Sequence, residues 1–235
     1  MKSFIISAIV LVGVLTASAG ASAALIANGS FETPIVPIGN FTDFAVGSSA
    51  LTGWSVFGPA GTNVAIVNGT FSQSGVTFEA EDGNQWLDLT GDGSNSTEGV
   101  SQVVATTIGD QYQLSYFIGN TTGGGGIFGT TSTVDVLLNG ALAFTNTNSN
   151  VSPTNLNWEQ FTHTFVATGT STTLGFQNAD PSNDNSNGLD NIILTDLGPV
   201  VPAVPEPASL VLLATGLATF ALIRRRQQRG IRSVR

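Results

Sequence analysis

The sequence predicts an all-β domain, a β-sandwich or jelly roll, and three observations carry that expectation. The stretch between the chain ends is rich in Gly, Thr, Ser, Asn and Val and poor in Ala, Leu, Glu and Lys, a palette that suits strands joined by turns. Period-two alternation recurs, most clearly where Tyr112, Leu114, Tyr116 and Ile118 interleave with Gln111, Gln113, Ser115 and Phe117. Asn139-Gly140, set between Val134-Asp135-Val136-Leu137-Leu138 and Ala141-Leu142-Ala143-Phe144, is a tight-hairpin signal, because both turn positions need a positive φ.

Further segments of strand character fall at 85–90, 100–105, 133–138, 160–167, 172–177 and 189–194. Short strands at such spacing suit a sandwich. Three stretches read as loops: 120–131 with its four consecutive glycines, 145–157 and 178–188. No Lys follows the glycine run and no helical pattern opens after it, so it reads as a flexible loop and not a phosphate cradle.

The two ends are addresses, not fold. Residues 1–23 read as a cleavable signal helix: Met1-Lys2-Ser3 gives the positive start, 4–15 is apolar, and Ala21-Ser22-Ala23 offers small residues to signal peptidase. The apolar run is short of the ~20 residues a bilayer span requires. One β domain is expected over 24–197, a stiff Pro-rich linker over 198–207, a short apolar transmembrane helix over 208–223 and a basic cytoplasmic tail over 224–235.

All seven Lys and Arg lie in those ends, from Lys2 to Arg224 and beyond. The body carries fifteen of the sixteen carboxylates, Glu206 being the other, and His163 is its only other side chain titrating near neutrality. Nucleic acid is excluded as a partner, since a phosphate backbone needs Lys or Arg to displace its counterions. With no cysteine in the chain, neither a disulfide framework nor a thiolate metal site can exist. Unpaired carboxylates repel one another, and either a bound cation, with calcium the first candidate, or a salty medium would relieve that repulsion.

Val204-Pro205-Glu206-Pro207-Ala208-Ser209, the apolar run 210–223 and Arg224-Arg225-Arg226 resemble the PEP-CTERM sorting signal of Gram-negative bacteria that make extracellular polysaccharide. The resemblance implies recognition of Pro205, Glu206 and Pro207 by an exosortase. It also implies transient insertion in the inner membrane, with Arg224, Arg225 and Arg226 on the cytoplasmic side, and then a place on the cell surface or in the matrix.

The body resembles the secreted galactose-binding-like domains, including an uncharacterised group found on proteins with this same tail. The residues that carry this are Leu25-Ile26-Ala27-Asn28-Gly29-Ser30-Phe31-Glu32, Gly53-Trp54, Asp82-Gly83-Asn84-Gln85-Trp86-Leu87-Asp88-Leu89 and Leu189-Asp190-Asn191-Ile192. In carbohydrate-binding members a structural calcium often sits where the first and last strands meet, and the matching positions here are Glu32 and Asp190. Hard oxygen ligands are what calcium requires. A second acidic stretch, 180–188, echoes a calcium loop but has Leu194 where the bidentate glutamate belongs, so it reads as a solvated Asn/Asp turn.

Catalysis is poorly provisioned. The body offers no cysteine nucleophile, no lysine base, no arginine clamp and no G-x-S-x-G elbow. His163, flanked at alternate positions by Phe161 and Phe165, reads as a half-buried structural histidine. No enzyme is expected; a glycan hydrolase built on Glu79, Glu81 and Asp82 is the weaker alternative. A non-catalytic module binding extracellular polysaccharide fits better, with a purely structural matrix protein as its rival. Of the three tryptophans, Trp54 and Trp158 suit the core. Trp86 is the candidate stacking platform for a sugar ring, since it alternates away from Leu87 and Leu89, with core packing or a sheet-sheet contact as the alternative for it as for the other two.

Overall fold

A computed structural model describes residues 24–92, 95–181 and 186–200. The expected signal helix, transmembrane helix, basic tail and the motif residues Pro205, Glu206 and Pro207 lie outside the described residues. Among the described residues no helix is long and apolar enough to cross a membrane.

Thirteen strands make up the described body. The larger sheet contains β1 (Phe41–Ala45), β3 (Asn63–Asn68), β6 (Gln85–Asp88), β13 (Gly188–Pro199), β8 (Asp110–Asn120) and β11 (Asn157–Val166), adjacent in that order. The smaller sheet runs β10 (Ala141–Asn148), β9 (Ser132–Leu138), β12 (Ser171–Asn178), β7 (Gly99–Ala105) and β2 (Ser55–Phe57). A separate hairpin pairs β4 (Ser72–Gln73) with β5 (Val76–Thr77). Every ladder in the two large sheets is antiparallel, and the β-sandwich expectation is met.

The alternation places the core. Val64, Ile66, Leu87, Leu89, Leu114, Tyr116 and Ile118 of the larger sheet meet Val100, Val104, Val134, Val136, Leu174 and Phe176 of the smaller one. Each fully buried aliphatic or aromatic side chain of this kind stabilises by ~1.5–3 kcal/mol, and with no cysteine present this burial carries the stability. At the β9–β10 hairpin, Asn139 and Gly140 adopt φ of 53° and 81°, the two positive values the turn requires. Strand β13 continues to Pro199, where it pairs with Asp110, so Gly198 and Pro199 belong to the sheet and not to the linker.

The outer face of the larger sheet is also covered. Ala65, Val67, Val76, Phe78, Trp86, Phe128 and Leu156 form a second hydrophobic cluster, with Phe71, Ala80 and Trp158 packed against it. The β4–β5 hairpin and the glycine-rich loop supply this cover. That loop, expected to be flexible, is pinned: Asn120 Nδ2 donates to Thr130 O and Asn150 O, Thr121 Oγ1 donates to Ser152 O, and Phe128 is buried. A long glycine run says nothing of the aromatic at its end that anchors it.

Candidate functional site

Three of the four motifs read from the sequence converge at one corner of the larger sheet. Glu32 Oε1 accepts the N–H groups of Asn84 at 2.7 Å and Gln85 at 2.8 Å. Asp190 is fully buried; its Oδ2 accepts from Glu81 N at 2.9 Å and Asp82 N at 3.1 Å, and its Oδ1 from Asn191 N at 2.7 Å. Gln85 ties the same turn back to the opening segment through Phe31 O and Pro34 O. Glu32 and Asp190, expected to hold calcium, thus clamp the two ends of the 81–85 turn. The five N–H groups meet Glu32 Oε1 and the two Asp190 oxygens. Among the described residues no group of three or more acidic or histidine side chains is arranged to hold a metal ion.

Burial pushes the Asp190 carboxyl up to about 8, against the lowering pull of its three N–H donors. It also pushes Asp88 up to about 6, opposed by hydrogen bonds from Asn187 and Thr90 and helped by the charge of Glu98.

Trp86, read as a stacking platform, is enclosed in the structure. Its side chain does face away from Leu87, on the outer face of the sheet, but it is fully buried there and its indole N–H donates to Phe78 O at 3.0 Å. The hairpin that covers it comes from residues 72–77, which no alternation pattern assigns to this face. Trp158 closes the other side. Its ring lies over Gly119 and Gly188, where an added Cβ would stand 2.7 and 2.9 Å from ring carbons, and it meets Trp86 edge-on at 5.9 Å. Only glycine at both positions lets the indole lie flat on two strands. Trp54 fills the main core, its N–H bonded to Asn28 O.

Above Trp86 lies a cavity of about 290 Å³. Phe41, Phe71, Phe78 and Phe128 contribute aromatic wall, while Gln73, Asp88 and Asp92 contribute polar atoms. Phe41 and Ile127 are exposed at its mouth. The ring contacts Phe41–Phe71 at 5.4 Å, Phe71–Phe78 at 5.7 Å and Phe78–Phe128 at 5.0 Å make a continuous aromatic surface. Asp88 receives its three hydrogen bonds, from Thr90 N, Thr90 Oγ1 and Asn187 N, all on Oδ1. Phe41 escaped the sequence reading because β1 shows no clean alternation, and Asp88 was read only as part of a motif; the cavity exists only once β1, β3 and β6 lie side by side.

His163 plays the structural part expected of it. Its ring stacks on Phe144 at 4.1 Å, and its Nε2 lies 2.6 Å from Asn146 Oδ1, which also accepts the Tyr116 hydroxyl. Glu81 Oε2 accepts from Asn191 Nδ2 at 2.8 Å and Asp82 Oδ2 from Ser30 Oγ at 2.8 Å, while Glu79 O accepts the Trp158 indole N–H and the N–H groups of Glu81 and Asp82 donate to Asp190.

Residues 24–204 match the family described as "Protein of unknown function (DUF642)". The chain belongs to the DUF642 family. Residues 203–226 match the PEP-CTERM protein-sorting motif, which implies export, processing by an exosortase and a destination at the cell surface or outside the cell. No curated protein matches this DUF642 chain. Among solved structures, a Stig cyclase, Fisc, from Fischerella sp. TAU is 19% identical with a TM-score of 0.54, covering 75% of this chain and 98% of its own. The CBM22-1 xylan-binding domain from Paenibacillus barcinonensis Xyn10C is 16% identical with a TM-score of 0.42, covering 69% and 97%. A Family 16 Carbohydrate Binding Module-2 is 20% identical with a TM-score of 0.41, covering 73% and 99%. The likeness to the cyclase is one of fold.

Proposed function

We propose that this DUF642 protein is a non-catalytic envelope or matrix component whose domain binds extracellular polysaccharide at the cavity above Trp86. The supporting observation is the cavity itself: a continuous aromatic wall opening at Phe41, with Gln73, Asp88 and Asp92 placed to accept or donate to hydroxyls. Its volume of about 290 Å³ sits at the small end of ligand pockets, suited to about one sugar ring. One stacked ring and a few hydrogen bonds give a Kd of order 10⁻⁴ to 10⁻³ M, and adhesion then depends on many copies close together.

Calorimetry with polysaccharide from the producing cell is expected to show that weak binding, and Phe41→Ala with Gln73→Ala to weaken it about tenfold or more. If no such polysaccharide binds, in soluble or clustered format, the domain is a structural component without a discrete ligand.

The ends of the chain act in sequence. Signal peptidase removes residues 1–23. The apolar segment 208–223 then halts in the inner membrane with Arg224, Arg225 and Arg226 on the cytoplasmic side, and exosortase cuts at or just after Pro205-Glu206-Pro207. Intact-mass measurement of the surface form is expected to give a chain beginning at Ala24 and ending near Pro207. A surface form that still carries Arg224 would remove this sequence of events.

A further inference from the structure

Behind Asp88, where the 95–98 segment meets the turn after β12, lies a second set of polar side chains with Asn178 as its hub. Asn178 N donates to Glu98 O at 2.8 Å, and its Nδ2 donates to Asn95 Oδ1 at 2.8 Å and Ser96 O at 2.7 Å. Its Oδ1 accepts from Asn187 Nδ2 at 2.7 Å and Asp180 N at 3.3 Å. Asp180 Oδ1 accepts the N–H of Thr133, whose carbonyl accepts the other Asn187 Nδ2 hydrogen at 2.6 Å. Ser132 Oγ donates to Ser186 O beside them. The stretch 180–188, expected to be a solvated turn, therefore ends inside the protein: Ser186 is 1% and Asn187 0% exposed.

The amide of Asn187 can be oriented in only one way, because both Nδ2 hydrogens are committed to Thr133 O and Asn178 Oδ1. Its Oδ1 is left buried at the other end with no donor among the described residues, and so is Ser186 Oγ. A buried acceptor with no donor is costly, and two of them beside two carboxylates ask for positive charge. The domain has no Lys or Arg to bring it.

We propose that Glu98, Asp180, Ser186 and Asn187 hold a hard divalent cation of the calcium type. Carboxylate, amide and hydroxyl oxygens are the donors calcium takes, six to eight in all, the remainder coming from main-chain carbonyls and water. Two of the four side chains are carboxylates, which agrees with there being no group of three acidic or histidine side chains able to hold a metal among the described residues. An all-oxygen set disfavours zinc and copper. The position gives the ion a task. Glu98 leads into β7 and Asp180 follows β12, both of the smaller sheet, while Asn187 leads into β13 of the larger. The ion joins the two sheets at one end of a domain that has no disulfide.

Melting of the full-length protein after chelation, with and without added calcium, tests the assignment. At a hundredfold excess over Kd the midpoint is expected to rise by about 5–10 °C. Glu98→Gln and Asp180→Asn should abolish that rise, Ser186→Ala should reduce calcium affinity severalfold, and Glu32→Gln should leave the rise in place. Metal analysis of the unsubstituted protein after desalting from calcium is expected to give about one calcium per chain, a readout that survives if a variant fails to fold. Equal midpoints with calcium and with chelator, no retained calcium, or a rise kept by Glu98→Gln and lost by Glu32→Gln would each overturn the proposal.

Discussion

Raising the pH from about 5 to about 8, in chelator, is expected to lower the stability of the domain by a few kcal/mol and its melting midpoint by roughly 10 °C. Two buried carboxylates set the sign. Burial holds Asp190 up to about 8 and Asp88 up to about 6 in the folded chain, whereas an unfolded aspartate titrates near 3.9. A group whose folded pKa is raised contributes stability that is fully present below the unfolded value and is lost as the pH climbs through the folded one. Each such group costs up to ~1.4 kcal/mol per pH unit within its window. Asp190→Asn is expected to flatten the dependence between pH 7 and 8, where Asp88 is largely ionised. A midpoint that holds level or rises over this range, followed by scanning calorimetry, would count against the buried-acid account.

Trp86→Ala is expected to cost about 3–5 kcal/mol of unfolding free energy in denaturant titration. The indole is fully buried, bonded through its N–H to Phe78 O, and packed between the rings of Phe78 and Trp158. Its removal empties the floor of the cavity and leaves a buried carbonyl without its donor. Loss of glycan binding in this variant would therefore report a damaged fold. Phe41→Ala at the exposed mouth is expected to change stability by less than about 1 kcal/mol, which makes it the variant that reads out contact with ligand. A Trp86→Ala protein as stable as its parent would show that the outer cluster bears little of the fold's energy.

The fold was legible wherever one face of a strand meets the core and the other meets water. Strands β7 to β13 follow from alternation and turn residues, and the Asn139-Gly140 hairpin from the φ its turn needs. Strands β1 to β5 were not legible. In β3 the run Val64 to Val67 is buried on both faces, so its pattern is continuous instead of alternating; β4 and β5 are two residues each, too short to show a period. That gap is what hid the cover over Trp86. The corner formed by Glu32, the 81–85 turn and Asp190 was legible as a place because its residues recur as motifs. Its chemistry was not, since a sequence names carboxylates and does not say whether N–H groups or a cation will meet them. Asn178 and Asn187 gave no signal at all, because buried asparagines look like turn residues until the fold encloses them.

Strand β13, which leads out of the domain toward the sorting motif, is not at an edge. It lies between β6 and β8 in the middle of the larger sheet, and its register with β8 runs from Gly188 opposite Gly119 to Pro199 opposite Asp110. Whatever holds the C-terminal end of the chain therefore pulls on the centre of the sheet and along the strand. A pull on that end would load many ladder hydrogen bonds in shear at once, where an edge strand would peel away one pair at a time. The chain leaves the domain from a strand flanked on both sides by ladder partners.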